Sequence, residues 1–228
     1  MFQPYYNLVK LFRKDAVVSE TSSWIFRATP YITFISVLII SLLVPVLSSQ
    51  VPLNFTGDII LIIYLFALAR FFLVLTSLDT GSAFGGMGGS REMMVSSMAE
   101  PAMILSFFTV ALTVNSTNLS NITSTLLNNS ILLLNPSLIL AFAALTIVLI
   151  AETGRIPVDN PFTHLELTMI HEGMMLEFSG RYLALVEWAS SMKLLLLLTI
   201  LVNIFFPWGI AGGLTFSGLI IAFALYVV

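Results

Sequence analysis

Residues 58–78 read DIILIIYLFALARFFLVLTSL, an almost unbroken apolar run with one arginine, Arg70, past its middle. At the rise of an α-helix, a run of this length covers about 30 Å, the thickness of bilayer hydrocarbon. A charge held at that depth costs about 2.5–3.5 kcal/mol on insertion scales, so it faces protein or water rather than lipid. The stretch therefore reads as a membrane helix that belongs to a bundle, and Arg70 as a group with a partner inside it.

The rest of the chain repeats the pattern. YITFISVLIISLLVPVLSS covers 31–49, and further apolar runs fall at about 92–114, 136–151, 182–206 and 213–228. With 58% hydrophobic and only 9% charged residues, the chain lacks the polar residues needed to clothe a water-soluble domain. No run alternates with the period of two that a membrane β-barrel needs. The expected fold is all-α: one polytopic transmembrane helix bundle over 1–228. Residues 1–30 are not apolar enough to span. There Tyr5, Leu8, Leu11 and Phe12 share a helical face away from Lys10, Arg13 and Lys14, the pattern of an amphipathic helix on the membrane surface. No cleavable signal peptide is evident at the start.

Composition removes several function classes. The net charge of −3 does not suit nucleic acid as a partner, and the absence of cysteine excludes disulfides, iron–sulfur ligation and thiolate metal sites within the chain. No internal repeat supports an inverted-repeat transporter. Lys10, Arg13, Lys14, Arg27, Arg91, Arg155 and Arg181 fall on one side of the predicted spans, while 50–57, 115–135 and 207–212 carry no Lys or Arg. The basic side is cytoplasmic by the positive-inside rule. The Asn-rich 115–130 stretch then lies outside as a polar loop.

The ionisable residues of the spans are the candidates for chemistry. Glu92, Ser96 and Glu100 are spaced by four and share one helical stripe. Glu187 and Lys193 fall in the fifth span at a spacing awkward for a direct pair, so each is expected to meet another helix. Arg70 is expected to answer a glutamate. Structural ion pairs that lock helices together are one reading of these groups. The other is a proton path, since carboxylates held from water in excess of cations take up protons more readily. Candidates for it are Glu92, Glu100, Glu152, Glu177, Glu187, Lys193 and Arg70.

Ionisable groups concentrate again in 151–181, AETGRIPVDNPFTHLELTMIHEGMMLEFSGR, with five carboxylates, two arginines and both histidines. Pro157 and Pro161 stop the preceding helix. The remainder regains helical spacing but is too charged to span, which suits a cytoplasmic docking loop. Met-rich GMMLE and REMM offer adaptable apolar contact. His164 and His171 lie outside the spans and have no recognised ligand set beside them, so no metal site is assigned. GSAFGGMGGSR lacks the ending of a phosphate loop and reads as glycines for close backbone packing.

AETGRIPVDNPFTHLEL, then LEFSG, then LVEWASSMK resemble the subunit 1 family of respiratory complex I. GSREMMVSSMAEP and QPYYNLVKLFRKD resemble the same family in the same order. Val158, Phe162 and His164 stand where its quinone-reducing branch has a phenylalanine and two acidic residues. DTGSAFGGMGGSRE, ETGRIPVDNPFTHLELTMIHE and EWASSMK are similar instead to the membrane-anchor subunits of group 4 [NiFe] hydrogenases.

The resemblance implies a non-catalytic subunit in a bacterial or archaeal cytoplasmic membrane, coupling redox chemistry to proton or sodium translocation. Implied partners are the hydrogenase large and small subunits and antiporter-like membrane subunits, besides the lipid bilayer. Iron–sulfur clusters and the NiFe centre belong to those partners and no cofactor to this chain. Glu100, Glu152, Glu177 and Glu187 match acidic positions of the family's polar channel. Asp159 and Glu166 match acidic loop positions, and Arg91 and Arg155 match its arginines. With His164, His171, Glu172 and Arg181 they form the expected docking and coupling loop. Glu92 and Lys193 match the hydrogenase branch alone. The resemblance also implies that the family's first span and C-terminal spans are missing here. The quinone-site subunit of an NADH:quinone oxidoreductase, with quinone as ligand, is the alternative, and a free-standing secondary transporter the third reading.

Overall fold

The computed structural model describes residues 3–19, 22–44, 59–129, 132, 134–156, 158–159 and 170–206. Among them are eight helices and no β-strand. They are α1 (Gln3–Phe12), α2 (Trp24–Leu43), α3 (Ile59–Asp79), α4 (Ala83–Val114), α5 (Leu119–Asn128), α6 (Pro136–Glu152), α7 (His171–Met175) and α8 (Gly180–Phe205). The all-α class read from the sequence holds. By length and composition α2, α3, α4 and α8 can each cross a membrane, and α6 is a shorter apolar helix. His164, Glu166 and the span expected at 213–228 lie outside the described residues.

Several helices begin earlier than hydropathy alone suggests. α2 starts at Trp24 rather than near 31. Its first turn carries Arg27 outward while Phe26 is buried. Ser23 provides an N-terminal cap, its hydroxyl accepting from the Ile25 amide at 3.2 Å. α4 starts at Ala83, so most of the glycine-rich run is helix rather than open connection. Packing holds it there, because a Cβ on Gly88 would lie 3.0 Å from the Ile170 carbonyl oxygen and 3.2 Å from the Met174 nitrogen. The turn between α3 and α4 is made by Gly81 with φ +65°, a conformation glycine adopts without strain. The Asn-rich segment expected as a plain loop contains α5, capped by the Asn118 side chain, which accepts from Ser120 N–H at 3.0 Å.

Contacts group the chain into two compact units. The first unit takes 1–37, 66–98 and 150–192 and the second 38–65, 99–149 and 193–228. In the first unit, Phe26, Phe178 and Val186 form a buried cluster joined by Leu73, Met175 and Tyr182. The Phe26 and Phe178 rings stack at 4.7 Å. Hydroxyls tie α2 to α3, Thr29 bonding Thr76. The Ser23 amide donates to Asp79 at 2.8 Å. α1 rests by Phe12 against the Trp188 ring of α8, centroids 6.2 Å apart, while Tyr5, Tyr6 and Val9 are exposed. In the second unit, Ile40, Ile62, Phe107, Val110, Leu138 and Leu196 are buried. Phe142 meets Phe205 at 5.1 Å there, and the Ile59 amide donates to the Thr117 carbonyl at 3.1 Å.

Candidate functional site

Arg70 on α3 precedes the end of its helix by nine residues, and Glu92 follows the start of α4 by nine. In an antiparallel helix pair joined by a tight turn, positions equally far from the turn lie level. Arg70 Nε is accordingly 3.8 Å from Glu92 Oε1. Glu152 is the last residue of α6, and its Oε2 pairs with Arg70 Nη2. The Arg70 side chain is 5% exposed, that of Glu152 2% and that of Glu92 16%. One guanidinium, removed from solvent, is thus shared by two carboxylates from two other helices. Arginine suits this position because its planar fork bonds in several directions.

Immediately after Glu152 the chain reverses. Gly154, with φ +57°, follows the helix end. The Arg155 amide donates to the Ile150 carbonyl at 3.1 Å and the Gly154 amide to that of Ala151 at 3.3 Å. This satisfies carbonyls that the helix leaves open, in the manner of a left-handed C-terminal cap. Two further turns follow, with the Val158 and Asp159 amides donating to the Arg155 carbonyl at 2.8 and 3.2 Å. They carry Asp159 inward, where its carboxylate is buried. Asp159 Oδ2 accepts from the amides of His171 at 3.0 Å and Ile170 at 3.3 Å, and so holds the start of α7. No described residue hydrogen-bonds its Oδ1.

The remaining sequence candidates are distributed around this centre. Arg155, Glu172 and Arg181 are exposed, and Arg91, His171 and Glu177 are partly buried. All six belong to the first unit. Glu100 and Lys193 are partly buried members of the second. Glu187 is in the first unit but lines a separate cavity with Gln3, Asn7, Leu8 and Ser191. Two anchoring groups escaped the sequence reading. Asp79 receives the Ser23 amide, and Ser179 both accepts from the Val17 amide and donates to the Val17 carbonyl, each at 2.8 Å. A carboxylate at a helix end and a serine before a helix-starting glycine were the signals available.

Apolar helices of spanning length around a sequestered ionic centre make this a multi-pass membrane protein. The chain belongs to the NADH dehydrogenase family, whose model matches residues 1–228. It is 37% identical to formate hydrogenlyase subunit 4 of Escherichia coli K12 over 232 aligned residues, covering 100% of this chain and 73% of that protein. With hydrogenase-4 component C of the same organism it shares 36% identity over 222 residues, 96% of this chain and 68% of the relative. Its fold is similar to a chain in the structure of the archaeal membrane-bound sulfane sulfur reductase, a respiratory membrane complex. The TM-score is 0.78 at 22% identity, over 90% of this chain and 66% of that one.

Proposed function

We propose that this chain is a membrane-anchor and coupling subunit of a complex I-like, energy-converting [NiFe] hydrogenase. It docks the electron-transfer subunits at its loop face and links their redox state to proton or sodium movement. One observation carries the reading: a buried arginine shared by Glu92 and Glu152, with Glu152 at the point where the loop leaves α6.

A charge change at a docked cluster acts first on the loop. Asp159 is held by the backbone at 170–171 and Glu152 is separated from the loop by the Gly154 turn alone, so a shift of this segment alters the field at Arg70. Arg70 can favour either carboxylate, and the less favoured one binds a proton more readily. Glu92 continues the route along α4 towards Glu100, two steps of four residues further on the same helix. One pK unit corresponds to about 1.4 kcal/mol, so small displacements at several linked acids suffice to bias a proton transfer. Similarity to formate hydrogenlyase subunit 4 and hydrogenase-4 component C supports the hydrogenase assignment.

The docking half of this reading is tested by affinity purification of the tagged chain from its native membrane. Co-purification of a large subunit with paired Cys-x-x-Cys motifs and hydrogen-dependent dye reduction is expected. A preparation without such a subunit, whose activity responds to quinone-site inhibitors, would move the assignment to the quinone-reducing branch.

A further inference from the structure

We propose that the cavity between α1 and α8 binds the primary ammonium of a lipid headgroup of the phosphatidylethanolamine type. The cavity measures about 230 Å³ and is lined by Gln3, Asn7, Leu8, Glu187 and Ser191. Among the described residues that line it none is basic, and Glu187 is acidic. The Ser191 hydroxyl donates its hydrogen to the Glu187 backbone carbonyl at 3.0 Å, leaving its lone pairs as acceptors. Gln3 and Asn7, on successive turns of α1, each have an amide oxygen able to accept a hydrogen bond. The lining is therefore rich in acceptors and carries one negative charge.

An ammonium with three N–H donors matches that set, and one positive charge answers Glu187. A trimethylammonium carries the same charge but has no hydrogen to donate, so the acceptors would be desolvated without return. An anionic headgroup would meet Glu187 with like charge. Leu8 gives the short methylene stem an apolar contact. Position favours a lipid as the source. Glu187 is seven residues into α8, about 10 Å from the helix start at 1.5 Å per residue. α1 exposes Tyr5, Tyr6 and Val9, as a helix lying in the headgroup layer does. Exposed Lys10, Arg13 and Lys14 at the end of the same helix provide the positive field that a lipid phosphate favours.

The test uses the full chain, purified with whatever subunits accompany it. It is exchanged into nanodiscs holding equal amounts of phosphatidylethanolamine and phosphatidylcholine with identical acyl chains. Retained lipid is then counted by native mass spectrometry. The wild type is expected to retain the ethanolamine lipid over the choline lipid by about tenfold, the scale of one charge-assisted hydrogen bond. Glu187→Gln is expected to bring the ratio close to one, and Asn7→Ala, at an exposed position of the surface helix, to lower it part of the way. Equal retention by the wild type, or an unchanged ratio in both variants, overturns the proposal. Binding of free ethanolamine without retention of its lipid would assign the cavity to a soluble amine and overturn the lipid assignment.

Discussion

Arg70 on α3 stands between two acids, Nε 3.8 Å from Glu92 and Nη2 paired with Glu152. Side chains from three helices, α3, α4 and α6, meet at this one guanidinium. The arrangement explains how an arginine is carried within a membrane helix. Two carboxylates that share a cation respond to each other's protonation, which a single ion pair does not do.

Removal of Arg70 should hurt more than removal of one acid. Arg70→Met removes the guanidinium that pairs with both Glu152 and Glu92, and breaking a buried pair in this way costs about 3–5 kcal/mol. The expected outcome is loss of membrane accumulation or a clear fall in melting temperature in detergent. The double variant Arg70→Met with Glu152→Gln should recover part of that loss. A single variant as stable as the wild type would show that the guanidinium does not hold these helices.

Two neighbouring glycines of α4 should differ in their tolerance of alanine. At Gly86 an added Cβ meets nothing within 4 Å, whereas at Gly88 it meets the backbone of Ile170, Gly173 and Met174. Gly86→Ala should be neutral, or stabilising by up to about 1 kcal/mol through helix propensity. Gly88→Ala should destabilise and loosen α7, read as faster hydrogen exchange at 171–175. Equal behaviour of the two variants would contradict the close packing.

Gly154 is held at φ +57°, where a β-carbon costs about 1–2 kcal/mol. Gly154→Ala should lower thermal stability by that amount, and Gly154→Asn by less, since asparagine tolerates this conformation better. Measured melting temperatures in the order glycine, asparagine, alanine check the cap.

Asp159 fixes the start of α7 through two backbone amides. Asp159→Ala strands those donors, at about 1–3 kcal/mol, and should speed exchange of the Ile170 and His171 amides. Asp159→Asn keeps an acceptor oxygen and should preserve much of their protection. Slow exchange in the alanine variant would mean that other groups hold α7.

Much of this was legible in the sequence, and the misses have physical causes. The α3 run and its arginine fix the membrane class, since hydropathy and length are sufficient for that. α3, α6 and α8 fall close to the apolar runs at 58–78, 136–151 and 182–206. Helix starts are less legible, because the first turns of α2 and α4 lie in polar or glycine-rich sequence and are held by capping and close packing. The pairing of Arg70 with Glu92 was hidden for that reason. Once GGMGGS is taken as helix, both residues stand nine positions from the α3–α4 turn, and their level becomes arithmetic. The Glu187 cavity was not readable, because it needs α1 placed against α8, a contact between residues far apart in the chain.

The account stands most directly on Glu152→Gln, assayed in sealed membrane vesicles for ion translocation and, separately, for hydrogenase turnover with an artificial acceptor. Glutamine keeps an acceptor oxygen for Arg70, and Arg70 keeps Glu92, so assembly and dye-linked turnover should persist while translocation is lost. Translocation at the wild-type ratio to turnover would contradict a route through this acid.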